Sequence, residues 1–345
     1  MNEEGKNTIR FMEICGTHTH AIARAGLKQL LPEGVSLLSG PGCPVCVTPP
    51  EAIDALVDLS RQPNVTLCTY GDMLRVPGST PEISLLKEKG RGASVEMVFS
   101  PMDALDLAQK NPEREYVFAG VGFETTAPGT LAAIRAAAER NISNFSVFLL
   151  LRRIEPAVRA LLSDPKARID GFLCPGHVAV ILGEKGFRFL PEEYHLPAVI
   201  SGFEPADIWL SVKELLRQAR EHDPRLVNTY TRTVSPEGNP LALAILDEMT
   251  EPEGALWRGL GYIEGSAYGL KAAYKAYDAA EKFGIQLPRQ MAPTACRCGD
   301  VICGKLSPEG CPFFGRICTP ESPLGPCMVS SEGSCAAAYT YRSFE

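Results

Sequence analysis

The chain has no apolar run long enough to span a bilayer. Its longest, FSVFLLL at 145–151, covers seven residues, where a membrane-crossing helix needs about twenty. It has no block of lysine and arginine: 34 basic residues face 41 acidic ones, for a net charge of −7. A nucleic-acid surface calls for the opposite balance. No G-x-G-x-x-G follows a strand-like run. GVGFET at 120–125 holds only two glycines of that pattern, which argues against a bound dinucleotide. The start, MNEEGKNTIR, is polar and lacks the apolar core of a secretory signal. These absences lead us to expect a cytoplasmic protein with no membrane and no nucleic-acid partner.

What the chain does have is cysteine, twelve of them in 345 residues. A lattice of structural disulfides is not expected in a compartment that keeps thiols reduced. Metal binding or redox chemistry is the usual alternative. Seven of the twelve lie between residues 296 and 335, and the other five are spread over the first 174. A hydrophobic fraction of 45% is ample for buried cores, and the length suits two or three domains.

The first two hundred residues alternate short apolar strands with amphipathic helices. TIRFMEIC (8–15), VSLLSG (35–40) and NVTLCTYG (64–71) read as strands, separated by helices in THAIARAGLKQLL and PPEAIDALVDLSRQ. The pattern repeats with REYVFAGVG (114–122), FSVFLLLR (145–152) and IDGFLCPG (169–176), followed by LPAVISGFEP. The expected fold is α/β: two related Rossmann-like units with parallel sheets at 1–115 and 116–205. From 206 to 345 we expect a mainly helical and loop domain of low strand content, with helices in 207–221 and 266–284 and an iron–sulfur cluster at its end. In parallel sheets the functional loops lie beyond the carboxyl ends of strands. CGTHTH, GPGCPVC, GFETT and CPGH all fall there, so they should converge on one cleft.

The carboxy-terminal segment carries Cys296, Cys298, Cys303, Cys311, Cys318, Cys327 and Cys335 among prolines and glycines, with no histidine. It buries too little apolar surface to order itself, and a metal centre would supply the missing stabilisation. All-thiolate sites suit zinc or an iron–sulfur cluster. Zinc sites usually use two close C-x2–4-C pairs, whereas the spacing here is irregular, which favours a [4Fe–4S] cluster.

Taken together and in order, CGTHTH, GPGCPVC, GFETTAP, PGHV and this cysteine array closely resemble the HypD family of hydrogenase-maturation proteins, over nearly the whole chain. The resemblance implies a scaffold and redox protein, rather than a turnover enzyme, that assembles the Fe(CN)2CO group of [NiFe]-hydrogenases. A HypC-type chaperone would share the iron, and HypE would deliver cyanide. The family's cluster pattern, C-x14-C-x6-C-x16-C, falls on Cys296, Cys311, Cys318 and Cys335. It implies Cys298 and Cys327 as a dithiol/disulfide pair and Cys15 as the thiolate that holds the iron. Cys303 lies outside the pattern and reads as an incidental thiol.

The residues themselves agree with parts of this. Cys15 precedes a helix, whose N-terminus should lower its pKa. His18 and His20 point to different sides of that helix, so at most one faces the iron or its cyanides. Cys43 and Cys46, a C-x-x-C without a second pair, form a familiar dithiol/disulfide geometry. Glu124 and His177 would face the same cleft. Thr125 or Thr126 suits a helix cap, Cys68 and Cys174 suit the core, and Glu204 is a further candidate. Two rival readings remain: an iron–sulfur oxidoreductase acting on a small molecule, and a binding module with a structural cluster.

Overall fold

A computed structural model describes residues 8–342. Residues 1–7, part of the polar N-terminal stretch, and 343–345 lie outside them. In chain order the first elements are β1 (Ile9–Glu13), α1 (Gly16–Arg24), β2 (Val35–Ser39), α2 (Pro44–Val47), α3 (Pro50–Ser60) and β3 (Val65–Thr69). Then come α4 (Leu85–Gly90), β4 (Val95–Met97), α5 (Pro101–Lys110), β5 (Glu115–Gly122), α6 (Ala127–Glu139), β6 (Phe145–Leu151) and α7 (Ile154–Leu162). Next are β7 (Gly171–Pro175), α8 (Gly176–Leu182), α9 (Phe189–Tyr194), β8 (Ala198–Ser201), α10 (Pro205–Glu221) and β9 (Leu226–Asn228). The chain ends with α11 (Pro240–Met249), β10 (Thr250–Trp257), β11 (Gly261–Leu270), α12 (Ala279–Phe283), α13 (Cys298–Ile302) and α14 (Ser334–Thr340).

The local signals explain these boundaries. Proline sits in the first turn of α2, α3, α5, α10 and α11, where its missing N–H costs nothing. Ser100 and Asp103 form a capping box on α5. β3 and β7 are buried at every residue, as strands covered by helices on both faces must be.

Two parallel sheets form, in the orders β2-β1-β7-β8-β9 and β4-β3-β5-β6. The α/β fold with parallel sheets is as expected, and so is the repeat. If β1, β2, β3 and β4 correspond to β5, β6, β7 and β8, the order β2-β1-β7-β8 maps onto β6-β5-β3-β4. Each repeat therefore pairs its first two strands and sends its third into the other sheet. The expected division at 115/116 falls inside β5 and so cuts through the second sheet. Residues 65–151 hold the whole of the second sheet, and the first uses strands from 9–39 and 171–228. Hydrophobic period fixes that a segment is a strand; which strand it pairs with is set by tertiary packing.

After residue 206 the expectation needs a further correction. α10 and β9 still belong to the first sheet. The stretch 266–284, read as a helix, begins as the second arm of the antiparallel hairpin β10–β11, continues as a short 3-10 turn at Ala272–Tyr277, and ends in α12. Alanines at 267, 272 and 273 suggested a helix. Pairing with β10 and burial of Ser266, Ala267, Gly269 and Leu270 override that weak preference. Among the described residues no helix is long and apolar enough to cross a membrane.

Candidate metal and thiol site

The parallel strands deliver their loops to shared edges. β1 leads into Cys15, β2 into the Gly40–Cys46 loop, β7 into His177 and β8 into Gly202–Phe203. The glycines of the SGPGC stretch allow the first two loops to touch. Gly16 N donates to Gly42 O at 3.2 Å, and Gly40 N donates to Glu13 O at 2.8 Å. A Cβ on Gly42 would run into the backbone of Ile14 and Cys15.

Cys43 and Cys46 are joined as a disulfide. Cys43 is the N-cap of α2, and its sulfur accepts from Cys46 N at 3.1 Å. Both residues are buried in one apolar cluster with Phe123 at the end of β5 and with Cys298, Cys318, Cys327, Met328 and Cys335. The pair thus stands between the strand ends of the second sheet and the cysteine-rich segment.

Ser330, Ser331 and Glu332 tie that segment down at three strand ends. Ser330 Oγ lies 3.3 Å from Cys43 Sγ. Ser331 donates through N and Oγ to Asp72, after β3, at 2.7 and 2.6 Å. Thr17 Oγ1, on the first turn after Cys15, donates to Glu332 at 3.3 Å. Sequence reading missed all three residues. Serine and glutamate in a polar loop carry no local signal, and their partners lie about 260–315 positions away.

Cys15 is 6% exposed and caps α1. The expected lowering of its pKa does not occur. Burial, reinforced by the Glu332 carboxylate, pushes the thiol up to about 12. The N–H groups of His18 and Thr17 act in the opposite sense but lose to desolvation. Burial therefore favours the protonated form of the Cys15 thiol.

The two histidines do face different ways. His18 is fully buried, with Nε2 2.9 Å from Gly202 O. Its ring stacks on Phe203 at 4.6 Å, and Phe203 stacks on His177 at 3.9 Å. Burial lowers the His18 pKa to about 4, so the imidazole is neutral, with Nδ1 buried and without a partner. His20 turns toward α14 and meets Tyr341 edge-on at 6.0 Å. Its pKa is lowered by burial, as is that of the partly exposed His177.

Glu124 does not open into the cleft. It is 2% exposed, and Oε1 accepts from Ile154 N, at the start of α7, at 2.9 Å. Burial raises it to about 7, against the bond from Ile154. Thr126 is the N-cap residue of α6, but its side chain makes no cap bond, and Thr125 is exposed. Glu204 is an exposed N-cap residue of α10 without a side-chain cap bond. Cys68 and Cys174 are buried in strands, as expected.

Six cysteines line one cavity: Cys296, Cys298, Cys311, Cys318, Cys327 and Cys335. Cys303 stands apart, its thiol 3.4 Å from Gly259 O. Cys298 and Cys327 are free thiols. Cys298 shares a hydrogen bond with Cys296, and Cys327 with Cys335. These bonds hold Cys298 and Cys327 below the usual thiol range against the effect of burial, and with burial raise their partners Cys296 and Cys335 above it. Backbone N–H groups of Cys298, Leu324 and Cys335 donate to the sulfurs of Cys296, Cys318 and Cys327 at 3.4, 3.4 and 3.3 Å.

This donor set fits a [4Fe–4S] cluster. Among the described residues no group of three or more His, Cys, Asp or Glu side chains is placed to hold a single metal ion. A four-iron cluster takes one thiolate per iron, so its ligands surround a cavity instead of converging on a point. The rest of the lining is apolar, including Val301, Phe313, Phe314, Leu324 and Met328. Gly325 has no Cβ where one would strike Cys296 Sγ.

A family model described as HypD, "Hydrogenase formation hypA family", matches residues 1–342. The Hydrogenase maturation factor HypD of Rhodobacter capsulatus is 46% identical over 338 residues, covering 96% of this chain and 89% of that protein. Its namesake from Escherichia coli K12 is also 46% identical over 338 residues, covering 98% and 90%. The namesake from Cupriavidus necator is 42% identical over 342 residues, covering 97% and 90%. With a match along nearly its whole length, the chain belongs to the HypD family.

Proposed function

We propose that the chain acts in hydrogenase maturation, in the cytoplasm, as the scaffold on which the Fe(CN)2CO group is assembled. Cys15 binds the iron, which is cargo, together with a thiolate of a HypC-type chaperone. HypE supplies the cyanide. The observation that carries this reading is the convergence at Ser330–Glu332, where the segment between the cavity-lining Met328 and Cys335 reaches both the Cys15 turn and the Cys43–Cys46 pair.

Each residue then has a task that its surroundings permit. Burial keeps the Cys15 thiol protonated and sheltered until iron displaces the proton. The Cys43–Cys46 disulfide takes up two electrons and two protons to become a dithiol, and returns them on reoxidation. Cys296, Cys311, Cys318 and Cys335 would hold a [4Fe–4S] cluster, which supplies single electrons when bound. Cys298 and Cys327, free thiols lining the same cavity, form a second dithiol. Neutral His18 fixes α1 to Gly202 through Nε2. His177, across the Phe203 ring, is the more open of the two and serves as donor to cyanide nitrogen. Glu124 positions α7.

The test is a strain carrying Cys15→Ala. Active [NiFe]-hydrogenase should be absent from it while the purified variant keeps its iron and sulfide. Normal hydrogenase activity would overturn the role of Cys15.

A further inference from the structure

The tip of the β10–β11 hairpin enters between the two thiol-bearing elements. Arg258 N donates to Val47 O at 2.9 Å, and Arg258 Nε donates to Thr48 O at 3.1 Å. Both acceptors close the short helix that carries Cys46. On the other side Gly259, at φ +85°, lies against the backbone of Gly299, next to Cys298. Cys303 donates to Gly259 O. Arg258 also lines a cavity with Cys296 and Gly299.

Arg258 is 2% exposed, and its Nη2 is buried without a hydrogen-bond partner. No ion pair involving it is found among the described residues. A buried cation with a spare donor is costly unless negative charge stands nearby. Cys296 shares a cavity with Arg258, and Gly299, against which Gly259 packs, directly follows Cys298 in α13. A thiolate-ligated cluster is anionic, and it becomes more so on reduction. Hydrogen bonds and net charge at the sulfurs set its potential.

We propose that Arg258 is a positioning residue shared by the two thiol centres. Its backbone and Nε hold the Cys43–Cys46 helix, and Nη2 supplies charge and an N–H donor to the Cys296–Cys298 side of the cluster, raising its reduction potential. This rests on the reading that Cys296, Cys311, Cys318 and Cys335 carry a cluster.

The experiment compares the full-length wild-type chain with Arg258→Lys and Arg258→Gln after anaerobic reconstitution. Iron, sulfide and melting temperature are measured first. Equilibrium redox titration then follows the cluster by electron paramagnetic resonance. Removing the charge in Arg258→Gln should weaken reduction at least tenfold, a potential about 59 mV more negative for a one-electron couple. Arg258→Lys should fall less than threefold from wild type. A purely structural role would lower the melting temperature of both variants and leave the potential of the loaded protein where it was; that result overturns the proposal. If Arg258→Gln fails to load, Arg258→Lys decides: a loaded lysine variant supports the need for charge, and loss of loading in both variants overturns the potential-setting role. A wild-type chain that takes up no iron and sulfide removes the underlying reading and this inference together.

Discussion

Replacing Glu124 with glutamine separates positioning from chemistry at a buried carboxyl. Glu124 is raised from the ordinary 4.5 to about 7 by burial. The folded chain therefore holds this proton more tightly than the unfolded chain. Its contribution is full below pH 4.5 and is lost as the pH rises through about 7. At about 1.4 kcal/mol for each tenfold, the gap between 4.5 and about 7 is about 3 kcal/mol. Glu124→Gln keeps a carbonyl oxygen for Ile154 N and never ionises. Urea unfolding of both proteins should give stabilities within about 0.5 kcal/mol of each other at pH 4.5, with the variant ahead by about 3 kcal/mol at pH 8. Hydrogenase maturation should survive the change, because the carboxyl holds α7 and does not face the cargo. A stability difference that is the same at both pH values would refute the burial argument. Loss of maturation in a well-folded variant would refute the positioning role.

Cys43→Ser and Cys46→Ser should each abolish maturation while leaving the iron and sulfide content unchanged, measured on anaerobically purified protein; normal maturation in both would exclude a redox role for the pair. Gly42→Ala puts a methyl group into the backbone of Ile14 and Cys15, a form of overpacking that costs about 1–3 kcal/mol. It should lower the thermal midpoint and speed alkylation of Cys15, and an unchanged midpoint would show that the two loops do not pack as described.

The strands were legible because each is a short apolar run closed by glycine or proline, as in VSLLSG and NVTLCTYG. The correspondence of the two halves was legible for the same reason. The exchange of β3 and β7 between sheets was not, since neither strand differs locally from one that stays beside its predecessor. The hairpin arm from Gly261 to Leu270 was hidden by alanine content that would suit a helix equally well. At the site, the cluster of seven cysteines was legible, the resemblance to the family singled out the six that line one cavity, and the Cys43–Cys46 spacing marked the pair. The reversal at Cys15 came from burial, which a helix N-terminus alone does not reveal. Arg258 and the Ser330–Glu332 anchor are long-range contacts, and the partner of Glu124, the N–H of Ile154, is likewise thirty residues away.

The most direct test of the scaffold is infrared spectroscopy of the chain purified without oxygen together with its chaperone. Bands from iron-bound cyanide and carbon monoxide should be present in the wild-type complex and absent from the Cys15→Ala complex. A wild-type complex that carries its cluster but shows no such bands, or a Cys15→Ala complex that keeps them, would contradict the account.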